Sequence, residues 1–96
     1  MYQFELTESL VPPQEDDVVL ETTVGALLRQ TAASHPDAPA MLEIDMEFQN
    51  GRSWTYGELL ADSEKLALAL STRFAPGERL TVWAPNVPEW LLVEYA

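Results

Sequence analysis

Leu80-Thr81-Val82-Trp83-Ala84-Pro85-Asn86-Val87-Pro88-Glu89-Trp90-Leu91-Leu92-Val93-Glu94-Tyr95-Ala96 decides the architecture. Its first five residues are β-rich and hardly alternate, which predicts a strand covered on both faces, as in a parallel sheet flanked by helices. Asn86 is placed to cap a following helix, with Glu89 at N3 and Pro88 tolerated in the first turn. Trp90, Leu91, Leu92, Val93 and Tyr95 make that third helix apolar on most sides. Neither glycine, basic last turn nor proline follows, so the usual stop signals are missing.

Upstream, Pro76-Gly77 fits the centre of a type II turn leading into this strand. Before it, Tyr56, Leu59, Leu60, Ser63, Leu66, Ala67, Leu70 and Phe74 share one side of a 3.6-residue period, predicting a second helix from Tyr56 to Phe74. Thr55 and Glu58 have the capping-box spacing at its start. Leu42, Ile44, Met46 and Phe48 alternate with Glu43, Asp45 and Glu47, a strand with one wet face. Asn50-Gly51 signals a type I′ turn into a short partner strand around Arg52 to Trp54. Val24, Leu27, Leu28, Thr31 and Ala32 give a first helix from Thr23 to Ser34, stopped by His35-Pro36. Residues 1–21 carry six acids, no base and the Val11-Pro12-Pro13 break, and read as an extended acidic leader ahead of the body at 22–96.

The whole chain has 96 residues, at most one domain, with 16 Asp+Glu against 5 Lys+Arg and a formal net charge of -11. Such an excess repels phosphates and anionic headgroups, which argues against nucleic-acid partners and membrane surfaces. At 47% apolar residues the chain is expected to bury a core. Without cysteine it has no disulfide, thiol nucleophile or thiolate zinc site, and only oxygen-ligand metals stay open. No run is long and uncharged enough to span a membrane, and the N-terminus lacks the basic start and apolar core of a secretory signal; a cytoplasmic setting is expected.

The fold class expected is therefore α/β: helix, β-hairpin, helix, buried parallel-type strand, helix. This set is incomplete on its own, because a strand apolar on both faces needs neighbouring strands and two helix layers. Leaving Trp90, Leu91, Leu92 and Val93 half exposed would forgo energy comparable with a small domain's stability, at about 1.5–3 kcal/mol per large side chain buried. The competing reading is a small α+β domain that packs its third helix on the hairpin or dimerises.

Thr23-Val24-Gly25-Ala26-Leu27-Leu28, His35-Pro36-Asp37-Ala38-Pro39-Ala40, Trp54-Thr55-Tyr56-Gly57-Glu58-Leu59, Pro76-Gly77-Glu78-Arg79-Leu80 and Trp83-Ala84-Pro85-Asn86 with Pro88-Glu89-Trp90 occur in order. Together they resemble the N-terminal portion of the adenylate-forming, AMP-binding ligases, in the acyl-CoA synthetase branch more than the peptide-synthetase branch. The resemblance implies a longer parent that uses ATP and Mg²⁺ to convert a carboxylic acid to an acyl-adenylate and then passes it to coenzyme A. It assigns no catalytic, cofactor-binding or metal residue here. The family's Ser/Thr/Gly-rich phosphate loop is absent, since Gly25, Gly51, Gly57 and Gly77 are isolated and the one lysine, Lys65, is mid-helix.

Candidate chemistry elsewhere reduces to structural roles. His35 is a lone helix-terminus residue rather than a general base. Glu43, Asp45 and Glu47 form a hairpin's wet face rather than a cation site. Trp54, Trp83 and Trp90 read as core packing, Arg52 and Arg79 as surface ion pairs, and Thr55/Glu58 and Asn86/Glu89 as helix caps. The expected function is scaffold within an acid–CoA ligase, its partner being the remainder of that ligase or a second copy. The alternative is a small acidic interaction module without enzymatic activity.

Overall fold

A computed structural model describes Pro13 and residues 19–96. The acidic leader expected over 1–21 falls almost wholly outside the described residues. Five elements follow: α1 (Val24–Ser34), β1 (Pro39–Ile44), β2 (Asn50–Thr55), α2 (Tyr56–Ser71) and α3 (Pro88–Tyr95). The arrangement is α/β, with three helices and one two-stranded antiparallel sheet.

Both well-formed helix starts follow from side-chain caps. The Thr23 hydroxyl accepts from the Ala26 amide at 3.1 Å and opens α1. At α2 the full capping box forms, the Glu58 amide donating to Thr55 Oγ1 at 3.2 Å and the Thr55 amide to Glu58 Oε2 at 2.9 Å. The helix ends at Ser71, three residues before the Phe74 boundary expected from periodicity. The Pro76-Gly77 turn is present: Gly77 has φ +87, which its lack of a side chain permits, and the Glu78 amide closes on the Ala75 carbonyl at 3.2 Å.

The core lies where α1 meets α2, each helix supplying an i,i+4 pair: Leu28 with Ala32, and Leu59 with Ser63. Ser63 is only 2% exposed, and its Oγ has no hydrogen-bond partner among the described residues. A hydroxyl in such a place loses hydration without recovering it. Ser63→Ala is expected to be neutral or to raise stability by up to about 1 kcal/mol, since alanine is also the better helix former. A urea midpoint lowered by the substitution would show that the hydroxyl has a stabilising partner.

Four expectations are corrected. The hairpin reverses four residues earlier than Asn50-Gly51, around Met46-Glu47: Asp45 Oδ1 accepts from the amides of Glu47 and Gln49, each at 2.9 Å, and the Phe48 amide donates to the Asp45 carbonyl. An aspartate holding the amides that follow it is a turn in its own right, so Met46 and Phe48 leave the strand and stand in solvent, with Phe48 at φ +58. Asn50 and Gly51 lie instead in β2, Asn50 opposite Ile44. The faces of β1 are also reversed from the wet-face reading. Leu42 and Ile44 are exposed and Glu43 is partly covered, because nothing described packs on the apolar face whereas Arg52 covers Glu43.

The third correction is the largest. Residues 80–84 form no strand, and Trp83 is 100% exposed rather than buried. An extended segment gains little until its amides and carbonyls meet another strand, and among the described residues none is offered. At α3 the N-cap is Val87 with no side-chain cap, not Asn86, and Pro88 takes the first helical position, where its missing N–H costs nothing.

Candidate functional site

The densest polar constellation centres on Arg52 in β2. Its Nε and Nη2 donate to Glu43 Oε2 and Oε1 at 2.8 and 2.9 Å, and its Nη1 donates to Glu89 Oε1 at 2.6 Å. Arg52 thus grips a carboxylate across the hairpin and another at the start of α3, 37 residues away. Its guanidinium carbon lies 5.4 Å from the Trp54 ring centroid. Trp54 Nε1 donates in turn to Asp62 Oδ2 at 3.0 Å on α2, and Asp62 accepts from Lys65 at 3.3 Å. One arginine and one tryptophan therefore connect the hairpin to α3 and to α2.

The Arg52 hydrogen bonds pull the Glu43 carboxyl from its ordinary 4.5 down to about 2. Arg52 also lowers Glu89, and the Trp54 indole followed by Lys65 lowers Asp62. For a carboxyl depressed by folding, the stabilisation is complete above its unfolded pKa and disappears as pH falls toward the folded value. The Glu43 contribution should then vanish between about pH 4.5 and 2. All three carboxyls keep contact with solvent, Glu43 the least, so salt screens them.

Gly51 explains why the grip forms. A Cβ there would lie 2.9 Å from Glu43 Oε2 and 3.2 Å from its Cγ, so the Glu43 side chain crosses over a glycine. Gly51→Ala should push Glu43 off Arg52 and return its carboxyl toward 4.5, read by NMR titration of the side-chain carbon. A Glu43 titration unchanged in the variant would show that the side chain accommodates the methyl.

Between β1 and α3 lies an open cleft of about 720 Å³, walled by Met41, Leu42, Ile44, Val87, Pro88 and Leu91, with Glu43 and Glu94 at its polar side. Its surface suits an apolar group. It suits a carboxylate or phosphate poorly, because it has no basic side chain and Arg52 is already engaged by two carboxylates.

The remaining sequence candidates do not converge. His35 is the C-cap of α1, its amide bonded to the Thr31 carbonyl at 2.8 Å. Glu43, Asp45 and Glu47 have separate tasks: the first holds Arg52 and the second closes the turn, while the backbone amide of the third donates to Asp45. Among the described residues no three acids or histidines gather as a metal site. Arg52 is a surface ion pair, as its place beside acids suggested; Arg79 makes none among the described residues. Trp54 is partly buried, and Trp90 donates its indole N–H to the Ala84 carbonyl at 3.2 Å. The links Arg52–Glu89 and Trp54–Asp62 were missed from sequence, since neither follows a helical or strand spacing. Among the described residues no helix is long and apolar enough to cross a membrane.

Comparison with known proteins completes the picture. The family described as AMP-binding enzyme matches residues 28–96, more than half of the chain. The chain is 34% identical over 95% of its length to the mitochondrial medium-chain acyl-CoA ligase ACSF2 of Danio rerio. It is 30% identical over 81% of its length to the putative acyl-CoA synthetase YngI of Bacillus subtilis. A third relative, surfactin synthase subunit 1 of Bacillus subtilis, is 38% identical over 68% of the chain. The chain spans 14% of the length of each of the first two relatives and 2% of the third. No solved structure matches. From residue 28 through the hairpin, α2 and α3, this chain belongs to the AMP-binding enzyme family, similar over most of its length to acyl-CoA ligases.

Proposed function

We propose that this chain is the N-terminal part of an ATP-dependent acid–CoA ligase, in which it is scaffold and supplies no catalytic group. The observation that carries the reading is the breadth of similarity to acyl-CoA ligases, over 95% and 81% of the chain, against 68% for surfactin synthase subunit 1. The geometry supports the scaffold role. The Arg52 and Trp54 network is spent on joining the hairpin to two helices, and the cleft between β1 and α3 is walled by apolar and acidic groups.

In the whole enzyme ATP and Mg²⁺ would activate a carboxylic acid as its adenylate and coenzyme A would take the acyl group, with these ligands held by residues outside this chain. The test is an assay of the native protein carrying this sequence. ATP–pyrophosphate exchange dependent on a fatty or other carboxylic acid, followed by thioester formation with coenzyme A, is the expected result. Absence of exchange across acids of all chain lengths would remove the ligase reading. Adenylate formation by the 96-residue chain alone would remove the scaffold reading.

A further inference from the structure

Carboxylates from opposite sides of the β1–α3 cleft meet on the Arg52 guanidinium, and the two grips are unequal. Glu43, on β1, accepts from Arg52 through the backbone amide at 3.2 Å, Nε at 2.8 Å and Nη2 at 2.9 Å. The same guanidinium lies over Trp54 of the hairpin. Arg52 is therefore fixed on its own side of the cleft, with Nη1 left to reach across. Glu89, in the first turn of α3, accepts from Nη1 at 2.6 Å and from Nη2 at 3.3 Å, and its side chain is 54% exposed against 28% for Glu43. Among the described residues no other hydrogen bond or ion pair joins the hairpin to α3. The start of α3 has no side-chain cap to secure it either, and the helix packs on α2.

We infer that Arg52 is a clasp that sets the separation of β1 from α3, and so the opening of the cleft, and that it releases at its Glu89 end. A bidentate grip and a second carboxylate on one guanidinium form the arrangement in which exposed charges are worth more than an isolated surface pair. Loss of the guanidinium does more than remove an attraction. Glu43 and Glu89 then face each other with like charge and repel across the mouth of the cleft. Salt loosens the clasp by screening it, which exposes the apolar walls at Leu42, Ile44 and Leu91. The inference needs only the hairpin, α3 and the cleft between them, so it stands or falls independently of the ligase reading.

The test is hydrogen–deuterium exchange on the native protein carrying this sequence, comparing the α3 amides Leu92–Tyr95 with Leu59–Ser63 in the buried part of α2 as internal reference. Salt is raised from about 0.1 to about 1 M, over which the screening length falls from about 10 to about 3 Å. Exchange in α3 should quicken in the unaltered protein and slow in Arg52→Gln, because salt weakens an attraction in one and a repulsion in the other. At the lower salt Arg52→Gln should exchange about fivefold faster in α3, the strong end of the range for exposed pairs. Adding Glu89→Gln to that variant should slow it again by relieving the repulsion. A salt dependence absent from the unaltered protein, or of the same sign in both proteins, overturns the clasp. A double variant no slower than Arg52→Gln also overturns it, and assigns the effect to Arg52 packing on Trp54. Should Arg52→Gln fail to fold, Glu89→Gln alone decides, since it leaves the Arg52 grip on Glu43 in place. Faster α3 exchange with the salt dependence lost upholds the clasp, and unchanged exchange overturns it.

Discussion

Leu59→Ala is expected to cost about 2–5 kcal/mol, the range for truncating a buried leucine. Leu59 is 2% exposed at the start of α2, and among the described residues the other buried apolar side chains are Leu28 and Ala32 on α1 and Pro88 at the start of α3. So few buried residues leave little to collapse into the vacated volume, which places the cost toward the upper end. Native domains are stable by only about 5–15 kcal/mol, so such a loss removes a large share of the chain's stability and lowers its unfolding midpoint markedly. Leu68→Ala is the control: Leu68 lies on the same helix and is 72% exposed, and its truncation should change stability by less than about 0.5 kcal/mol. Urea denaturation followed by far-UV circular dichroism separates the two. Equal midpoints would show that the α1–α2 contact is not the core.

What the residues revealed, and what they hid, divides by the range of the interaction. Thr55-Tyr56-Gly57-Glu58 specified its helix start because both hydrogen bonds of the box close within three residues. Pro76-Gly77 specified its turn for the same reason. The hairpin was legible as a hairpin, but its reversal was misplaced. Asp45 captures the Glu47 and Gln49 amides through a side chain, and that outweighed the backbone preference of Asn50-Gly51. The Arg52 grip on Glu89 spans 37 positions, and only the folded chain brings its ends together. The cleft likewise needs β1 and α3 side by side. Leu80–Ala84 differs in kind. Its pattern of residues was read as a strand, and the described residues offer it no neighbour with which to become one.

Trp83→Ala therefore has an expected effect that depends on what surrounds the chain. In the 96-residue chain Trp83 is 100% exposed, and its truncation removes no buried area; the change in stability should be within about 0.5 kcal/mol. In the whole protein carrying this sequence, where the two-sided apolar pattern predicts a covered strand, the same substitution removes a buried indole and should cost about 3–5 kcal/mol. The two measurements share the residue, its backbone and its neighbours in sequence, so their difference isolates the covering layer. Intrinsic strand preference alone cannot produce such a gap, because it acts in both settings and spans only about 1 kcal/mol. A cost below about 1 kcal/mol in the whole protein would mean that Trp83 faces solvent there too. The two-sided apolar pattern of Leu80–Ala84 would then have to be a surface for some partner outside the polypeptide. A cost of several kcal/mol in the isolated chain would place Trp83 in a contact that its full exposure excludes.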